Sequence, residues 1–390
     1  MSKPLEGKLV IELTNYWAAT TTGRFMRSMG ARVIKVESPH GDIERKFGAT
    51  LKEPISDDEN PNYDTLNGGK DHIVLDLKKP EDFARLKKLL SKADVFLTNN
   101  RAAALKKMGL DYDTLKEEFP QLVYSIILGY GEKGPKVDFP GFDAIAMFAT
   151  GGMLRDLMVD EPGAYPVYIP MGFGDLICGT ILAGAIGTAL FNRSRTGKGD
   201  YVSISLHGAG MWLFAVMSTA GQYGYPWPRK RYEGGPMGVP YRTKDNRWLL
   251  PVVNEYERYW PGFCRAVGAA PEIVTDPRYC TKVATFDPKN RADLIKYFEG
   301  VIAEQNLDDL LPKLEAEDII VSELGKFKDN HHSIQALLNG YMKPYTYAVS
   351  GHEVTLAQPP VHFGSYEPPE AEQASPLGRE TEKIFKEFDL

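Results

Sequence analysis

Two loops in this chain gather residues suited to chemistry on a flexible, polar ligand. The first runs Gly129-Tyr-Gly-Glu-Lys-Gly-Pro135 and continues to Pro140-Gly-Phe-Asp143; the second is Met171-Gly-Phe-Gly-Asp175. Each leads into an apolar stretch that reads as a helix, and the second delivers one carboxylate, Asp175, at the loop-to-helix junction. Glycine lets backbone approach a ligand closely, and the amides of a helix terminus hold an anion. An aspartate so placed can cap the helix, act as a base or act as a nucleophile. The residues alone leave all three open.

Other chemistries find no support. After the first strand the chain reads Thr14 to Gly23 without a G-x-G-x-x-G turn, which argues against a dinucleotide site. Gly197-Lys-Gly199 lacks the rest of a P-loop, His352-Glu353 lacks the second histidine of a zinc protease, and no serine sits in a G-x-S-x-G elbow. His331-His332 lies in a polar stretch and reads as solvated surface. Cys178, Cys264 and Cys280 are odd in number and far apart, which suits a reducing compartment and gives neither a disulfide framework nor a zinc site. No metal is expected. What remains is a site built on a carboxylate.

The elements that must position it form an α/β pattern. Leu9-Val-Ile, Val33-Ile-Lys-Val, Ile73-Val-Leu, Val95-Phe-Leu and Leu122–Leu128 are short, β-branched runs suited to strands covered on both faces. Thr21–Ser28, Pro80–Ser91 and Tyr112–Phe119 are the helical partners, with Pro80 in a first turn. This predicts a parallel sheet with right-handed crossovers. Ser38–Asp71 reads as a long polar excursion over the active face. Leu176–Phe191 is shorter than a membrane span needs and reads as a buried helix. It is followed by an alternating strand at Tyr201–Leu206.

With 390 residues, two domains are expected. A Gly-, Pro- and aromatic-rich stretch, Gly221–Pro240, marks the boundary. The large domain would take residues 1–222, a small α+β domain 223–321, and 322–390 would return to the large one. Hydrophobic residues at 43%, charged residues at 25% and a net charge of −6 describe an ordinary soluble protein. They give no reason to expect nucleic acid or a membrane as partner. With a polar start, the expected location is cytoplasmic.

The ordered series Lys8-Leu-Val-Ile-Glu-Leu, Gly30–Glu37, Leu75-Asp-Leu-Lys78, Met108-Gly-Leu-Asp-Tyr, Gly129-Tyr-Gly, Pro140-Gly-Phe-Asp, Gly174-Asp175 and Arg195-Thr-Gly-Lys-Gly resembles the class III CoA-transferase family, which includes formyl-CoA transferase. The likeness runs from residue 5 to about residue 385. In texture it is nearest to members acting on 2-hydroxy acids, such as phenyllactate or 2-hydroxyisocaproate. It implies an interlocked homodimer whose chains each carry a large Rossmann-like domain and a small domain. It implies Asp175 as nucleophile, with aspartyl anhydride and aspartyl-CoA thioester intermediates, Met171, Phe173, Leu176 and Ile177 desolvating it, and Gly172 and Gly174 clearing the way for the thioester.

The resemblance further implies no permanently held cofactor, with an acyl-CoA and a carboxylic acid as the substrates. The positions matching the family's CoA contacts are Trp17, Ala18, Leu75, Lys78, Asn99, Asn100, Arg101 and Lys107. Phe142, Asp143 and Gly174 match the substrate pocket. The family's small-domain glycine run has only Glu233-Gly-Gly-Pro-Met-Gly238 as a counterpart, and Met211–Met237 supplies aromatics and methionines for an acyl pocket. The alternatives are an acyl-CoA racemase, which would need a histidine where Phe142 stands, or a non-catalytic CoA-binding subunit.

Overall fold

The computed structural model describes residues 3–159, 161–227 and 230–390. Among these the chain divides into two compact units, one of residues up to 154, 168–220 and 331–390, the other of 155–167 and 221–330.

The first unit is built on strands β1 (Leu9–Leu13), β2 (Arg32–Glu37), β3 (Asp71–Val74), β4 (Val95–Thr98), β5 (Val123–Leu128) and β6 (Tyr201–Ser205). They form one parallel sheet in the order β3-β2-β1-β4-β5-β6. Helices α1 (Ala18–Ser28), α2 (Pro61–Asn67), α3 (Pro80–Leu90), α4 (Ala102–Met108), α5 (Tyr112–Glu118), α6 (Met153–Asp156), α7 (Phe173–Thr196), α8 (Leu206–Leu213) and α9 (Ala215–Gln222) follow in chain order.

The apolar strand runs are explained by burial on both sides. Val10, Val33, Val95 and Val123 face α1 and α7 in one core. Ile11, Ile34, Phe96 and Tyr124 face α3 to α5 in the other. Successive strand residues point to opposite faces, so no position is left for alternation with polar residues. The strand order reverses between β1 and β4, which opens a crevice at their carboxyl ends.

Two sequence expectations change here. Residues 38–71 are more ordered than a loop: though mostly exposed from 38 to 58, they contain a 3₁₀ segment (Ile43–Leu51) and α2, and they bury Asp42, Glu44, Asp64 and Asn67. Its buried carboxylates pair with distant parts of the chain, Asp42 with Lys35 and Asp64 with Tyr347. Helix α7 spans 24 residues, longer than the apolar stretch suggested and long enough to cross a bilayer by length and composition. It packs along α1 and carries Asp175 in its first turn, the pattern of a core helix.

The second unit is a three-stranded antiparallel sheet, β7 (Tyr241–Arg242), β8 (Trp248–Pro251) and β9 (Val321–Glu323), with α10 (Tyr256–Val267), α11 (Pro271–Thr275), α12 (Pro288–Ala303) and α13 (Leu307–Ala316). Trp260, Phe263 and Phe298 fill its core. The chain then adds α14 (Ile334–Leu338), a hairpin of β10 (Met342–Thr346) and β11 (Glu353–Ala357), and α15 (Thr381–Glu387) to the first unit. The tail is fastened beside β3: the His72 amide donates to Glu380 at 2.9 Å, the Val74 amide to Thr381 at 3.1 Å, and Arg32 pairs with Glu387 at 2.8 Å.

Candidate active site

The crevice at the strand ends is a cleft of about 530 Å³. Its floor and walls come from Asn15, Tyr16 and Ala18 after β1, Asn99 to Ala103 after β4, Ile127 to Gly129 at the end of β5, the loop Val137–Phe142, Leu206, and Asp175. The two loops singled out by their glycines therefore meet at one place.

Asp175 is 8% exposed and lies in the first turn of α7. Among the described residues none donates a hydrogen bond to its carboxylate. Burial, and then the nearby Asp143, push its pKa from 3.8 up to about 7. Loss of water disfavours the charged form, and a second carboxylate adds to that. Asp175 is thus a carboxylate kept unsatisfied at the edge of a cleft, half ionised near neutrality.

The group that caps α7 is Asp143. Its Oδ2 accepts from the Gly174 amide at 3.0 Å and its Oδ1 from the Ala144 amide at 2.7 Å. The capping role open to Asp175 is taken by a residue from the other loop. Asp143 starts a π-helical turn (Asp143–Ala149), a local widening common at functional sites. His207 steadies that turn, its Nδ1 lying 3.2 Å from the Ala146 carbonyl and 3.1 Å from Thr150 Oγ1.

The glycines serve protein packing. A Cβ on Gly174 would stand 2.7 Å from Met147 Sδ and 2.8 Å from Asp143 Cβ. Gly172 has φ +79°, and a Cβ there would stand 2.4 Å from the Trp17 ring. They let α7, the π-helical turn and Trp17 converge on Asp175. Of the sequence neighbours expected to desolvate Asp175, Ile177 is half-buried. Met171, Phe173 and Leu176 are themselves partly exposed.

With this geometry in view, the comparisons with known proteins are specific. The CoA-transferase family III model matches residues 5–381. The chain belongs to CoA-transferase family III. It is 36% identical over 383 residues to (R)-2-hydroxy-4-methylpentanoate CoA-transferase of Clostridioides difficile, covering 98% of this chain and 94% of that one. It is also 36% identical over 386 residues to cinnamoyl-CoA:phenyllactate CoA-transferase of Clostridium sporogenes, covering 98% and 92%. Among solved structures, a CaiB/BaiF family protein from Brucella suis superposes with a TM-score of 0.84 at 26% identity, covering 100% of both chains. The chain is a class III CoA-transferase.

In this transferase the residues matched to CoA contacts divide into three sets. Ala18, Asn99, Asn100 and Arg101 line the cleft with Asp175. Trp17 does not line it; it lies beside Gly172 and packs edge-on against Phe47 at 4.8 Å. Leu75, Lys78 and Lys107 do not line it: Leu75 is core, while Lys78 and Lys107 are exposed on neighbouring turns. The two asparagine amides are occupied by backbone. Asn99 brackets Asn15, accepting from its amide at 3.1 Å and donating to its carbonyl at 2.7 Å, and Asn100 donates to the Leu13 carbonyl at 3.0 Å. They shape the β1–α1 loop.

Of the substrate-pocket residues, Phe142 lines the cleft, and Asp143 and Gly174 stand behind Asp175. No described residue of 211–237 lines it. Its apolar wall is Val137, Phe139 and Phe142; Phe142 was matched to the pocket from the sequence, while Val137 and Phe139 were passed over because they sit in a loop of glycines and prolines.

Proposed function

We propose that this transferase moves CoA between an acyl- or enoyl-CoA and an (R)-2-hydroxy acid with an apolar side chain, through covalent intermediates on Asp175. The observation that carries the reading is the Asp175 carboxylate itself, buried, without a donor, and open to the cleft. A carboxylate of raised pKa is a better nucleophile than an ordinary one and is still half ionised near neutrality.

Asp175 attacks the thioester carbonyl, the C–S bond breaks, and CoA leaves as thiolate from a mixed anhydride. The thiolate then attacks the aspartyl carbonyl, expelling the first carboxylate and leaving an aspartyl-CoA thioester. The acceptor acid attacks that thioester to give a second anhydride. The thiolate returns to its acyl carbonyl, releasing the new acyl-CoA and restoring Asp175. Each step trades one activated carboxyl for another, so thioester energy is retained.

Arg101 at the cleft, with Lys78 and Lys107 outside it, supplies cations for the phosphates of CoA. The apolar wall of Val137, Phe139 and Phe142 suits a branched or aromatic side chain. Burying one would add about 1.5–3 kcal/mol, one to two orders of magnitude in affinity over a small polar acid. The two relatives named for 2-hydroxy acids point the same way. Racemisation has less to support it, since no described histidine lines the cleft and Phe142 cannot carry a proton.

A panel of 2-hydroxyisocaproate, phenyllactate, lactate, oxalate and carnitine as acceptors tests the substrate. The branched and aromatic 2-hydroxy acids should be preferred at least about tenfold. Preference for oxalate or carnitine would overturn the acceptor assignment and leave the Asp175 chemistry untouched.

The same reading includes an interlocked homodimer. Helices α7 to α9 expose Phe191 (64%), Trp212 (77%) and Val216 (81%), an apolar face of the kind an obligate interface covers. Tagged and untagged protein mixed under native conditions should form no hybrid dimers until unfolded and refolded. Rapid exchange would contradict threading.

A further inference from the structure

The wall of the cleft that faces Phe142 rests on a set of charges with no access to solvent. Tyr16 stands edge-on to Phe142, ring centroids 5.8 Å apart, and both line the cleft. Its backbone has φ +57°, a left-handed conformation that a residue with a side chain seldom adopts unless the surroundings impose it. The flanking contacts supply the imposition. On one side Asn99 brackets Asn15. On the other the Tyr16 amide donates to Asp42 Oδ1 at 3.1 Å, and the Glu44 amide donates to the same oxygen at 3.0 Å.

Asp42 is held in turn by Lys35, whose Nζ lies 2.8 Å from Asp42 Oδ2 and 3.1 Å from Glu12 Oε1, while Lys70 Nζ lies 2.9 Å from Glu12 Oε2. The lysines, Glu12, Asp42 and Glu44 are all buried, none more than 3% exposed. Burial, and then Asp42, drive the Glu44 carboxyl well above the usual range. Glu12 and Asp42 thus face Lys35 and Lys70 in a buried network of two carboxylates and two lysines. A buried ion pair is a costly way to gain stability and a good way to fix one geometry.

We infer that Asp42, anchored by Lys35, is a positioning residue that holds Tyr16 in its left-handed conformation and so sets the width of the acyl-binding cleft. It touches no substrate. It acts through the Tyr16 amide, and the ring of Tyr16 with that of Phe142 then bounds the space beside Asp175. The inference rests on the proposed CoA transfer for its kinetic readout, and binding of the thioester gives a second readout that does not.

The test compares Asp42→Ala, Asp42→Asn and Tyr16→Gly by steady-state kinetics, by calorimetric titration with isocaproyl-CoA, and by thermal melting. Asp42→Ala should raise KM for the thioester and weaken its binding about tenfold, with kcat within about threefold of wild type. Asp42→Asn keeps an oxygen for the Tyr16 amide and should recover most of the loss. Tyr16→Gly relieves the backbone and removes the ring, so it should weaken binding about as much while melting no lower than wild type. If Asp42→Ala does not fold, the Asn and Gly variants carry the test. A fall in kcat and melting temperature with KM and binding unchanged would show a structural role only and overturn the inference. So would an Asn variant as impaired in binding as the Ala variant, or a Tyr16→Gly protein that binds normally. Failure of wild type to transfer CoA while binding follows the expected order would sink the proposed reaction and spare this inference.

Discussion

Asp175→Asn is expected to abolish CoA transfer, by at least about a thousandfold, while the protein folds as before. The substitution is nearly isosteric and removes the one group able to attack the thioester. The helix start survives because the Gly174 amide is satisfied by Asp143 and not by Asp175. Asp175→Glu keeps a carboxylate and displaces it by about the length of one bond; misplacement of that order costs on the order of a hundredfold. Wild type incubated with acyl-CoA should yield a CoA adduct on the peptide containing Asp175, detectable by mass and cleaved by hydroxylamine, and the Asn variant should yield none. Residual transfer by Asp175→Asn within tenfold of wild type would end the covalent mechanism.

The sheet was legible because its strands are buried on both faces. Runs such as Leu9-Val-Ile and Val95-Phe-Leu carry no competing period, and each gives a parallel strand in the position expected. Asp175 was legible for a partly mistaken reason. Its glycines flagged a place of close approach, and the approach is real, but what comes close is Met147, Asp143 and Trp17.

Less legible were the groups whose partners lie far along the chain. Asp143 caps a helix beginning thirty residues later, and it does so from a π-helical turn for which the sequence has no signature. Glu12, Lys35 and Lys70 are single charges beside or within apolar runs, where periodicity treats them as interruptions. Only the fold shows that they meet one another. Asn99 and Asn100 match the family's CoA contacts, yet their side-chain amides donate to the carbonyls of Asn15 and Leu13.

The dependence of stability on pH should distinguish wild type from Asp175→Asn as sharply as activity does. In the folded protein Asp175 titrates near 7, and in the unfolded chain near 3.8. Between these values the native state keeps a proton that the unfolded state has lost, so wild-type stability falls as pH rises through that window and levels off above it. Below about pH 4 both states are protonated and the carboxyl costs nothing. The asparagine has no such titration. The variant should match wild type at pH 4 and exceed it increasingly up to about pH 7–8, by at most roughly 4 kcal/mol at about 1.4 kcal/mol per unit. For a chain of this size that is several degrees in melting temperature. Asp64, pushed up to about 6 by burial, adds a slope of the same sign, but it is common to both proteins and cancels in the difference. Wild-type kcat/KM should rise over the same range, reaching half its upper value near pH 7 as the attacking carboxylate forms. A variant less stable than wild type at pH 8 would mean that the Asp175 carboxylate is stabilised where it lies, which is incompatible with an aspartate held without a donor and poised to attack.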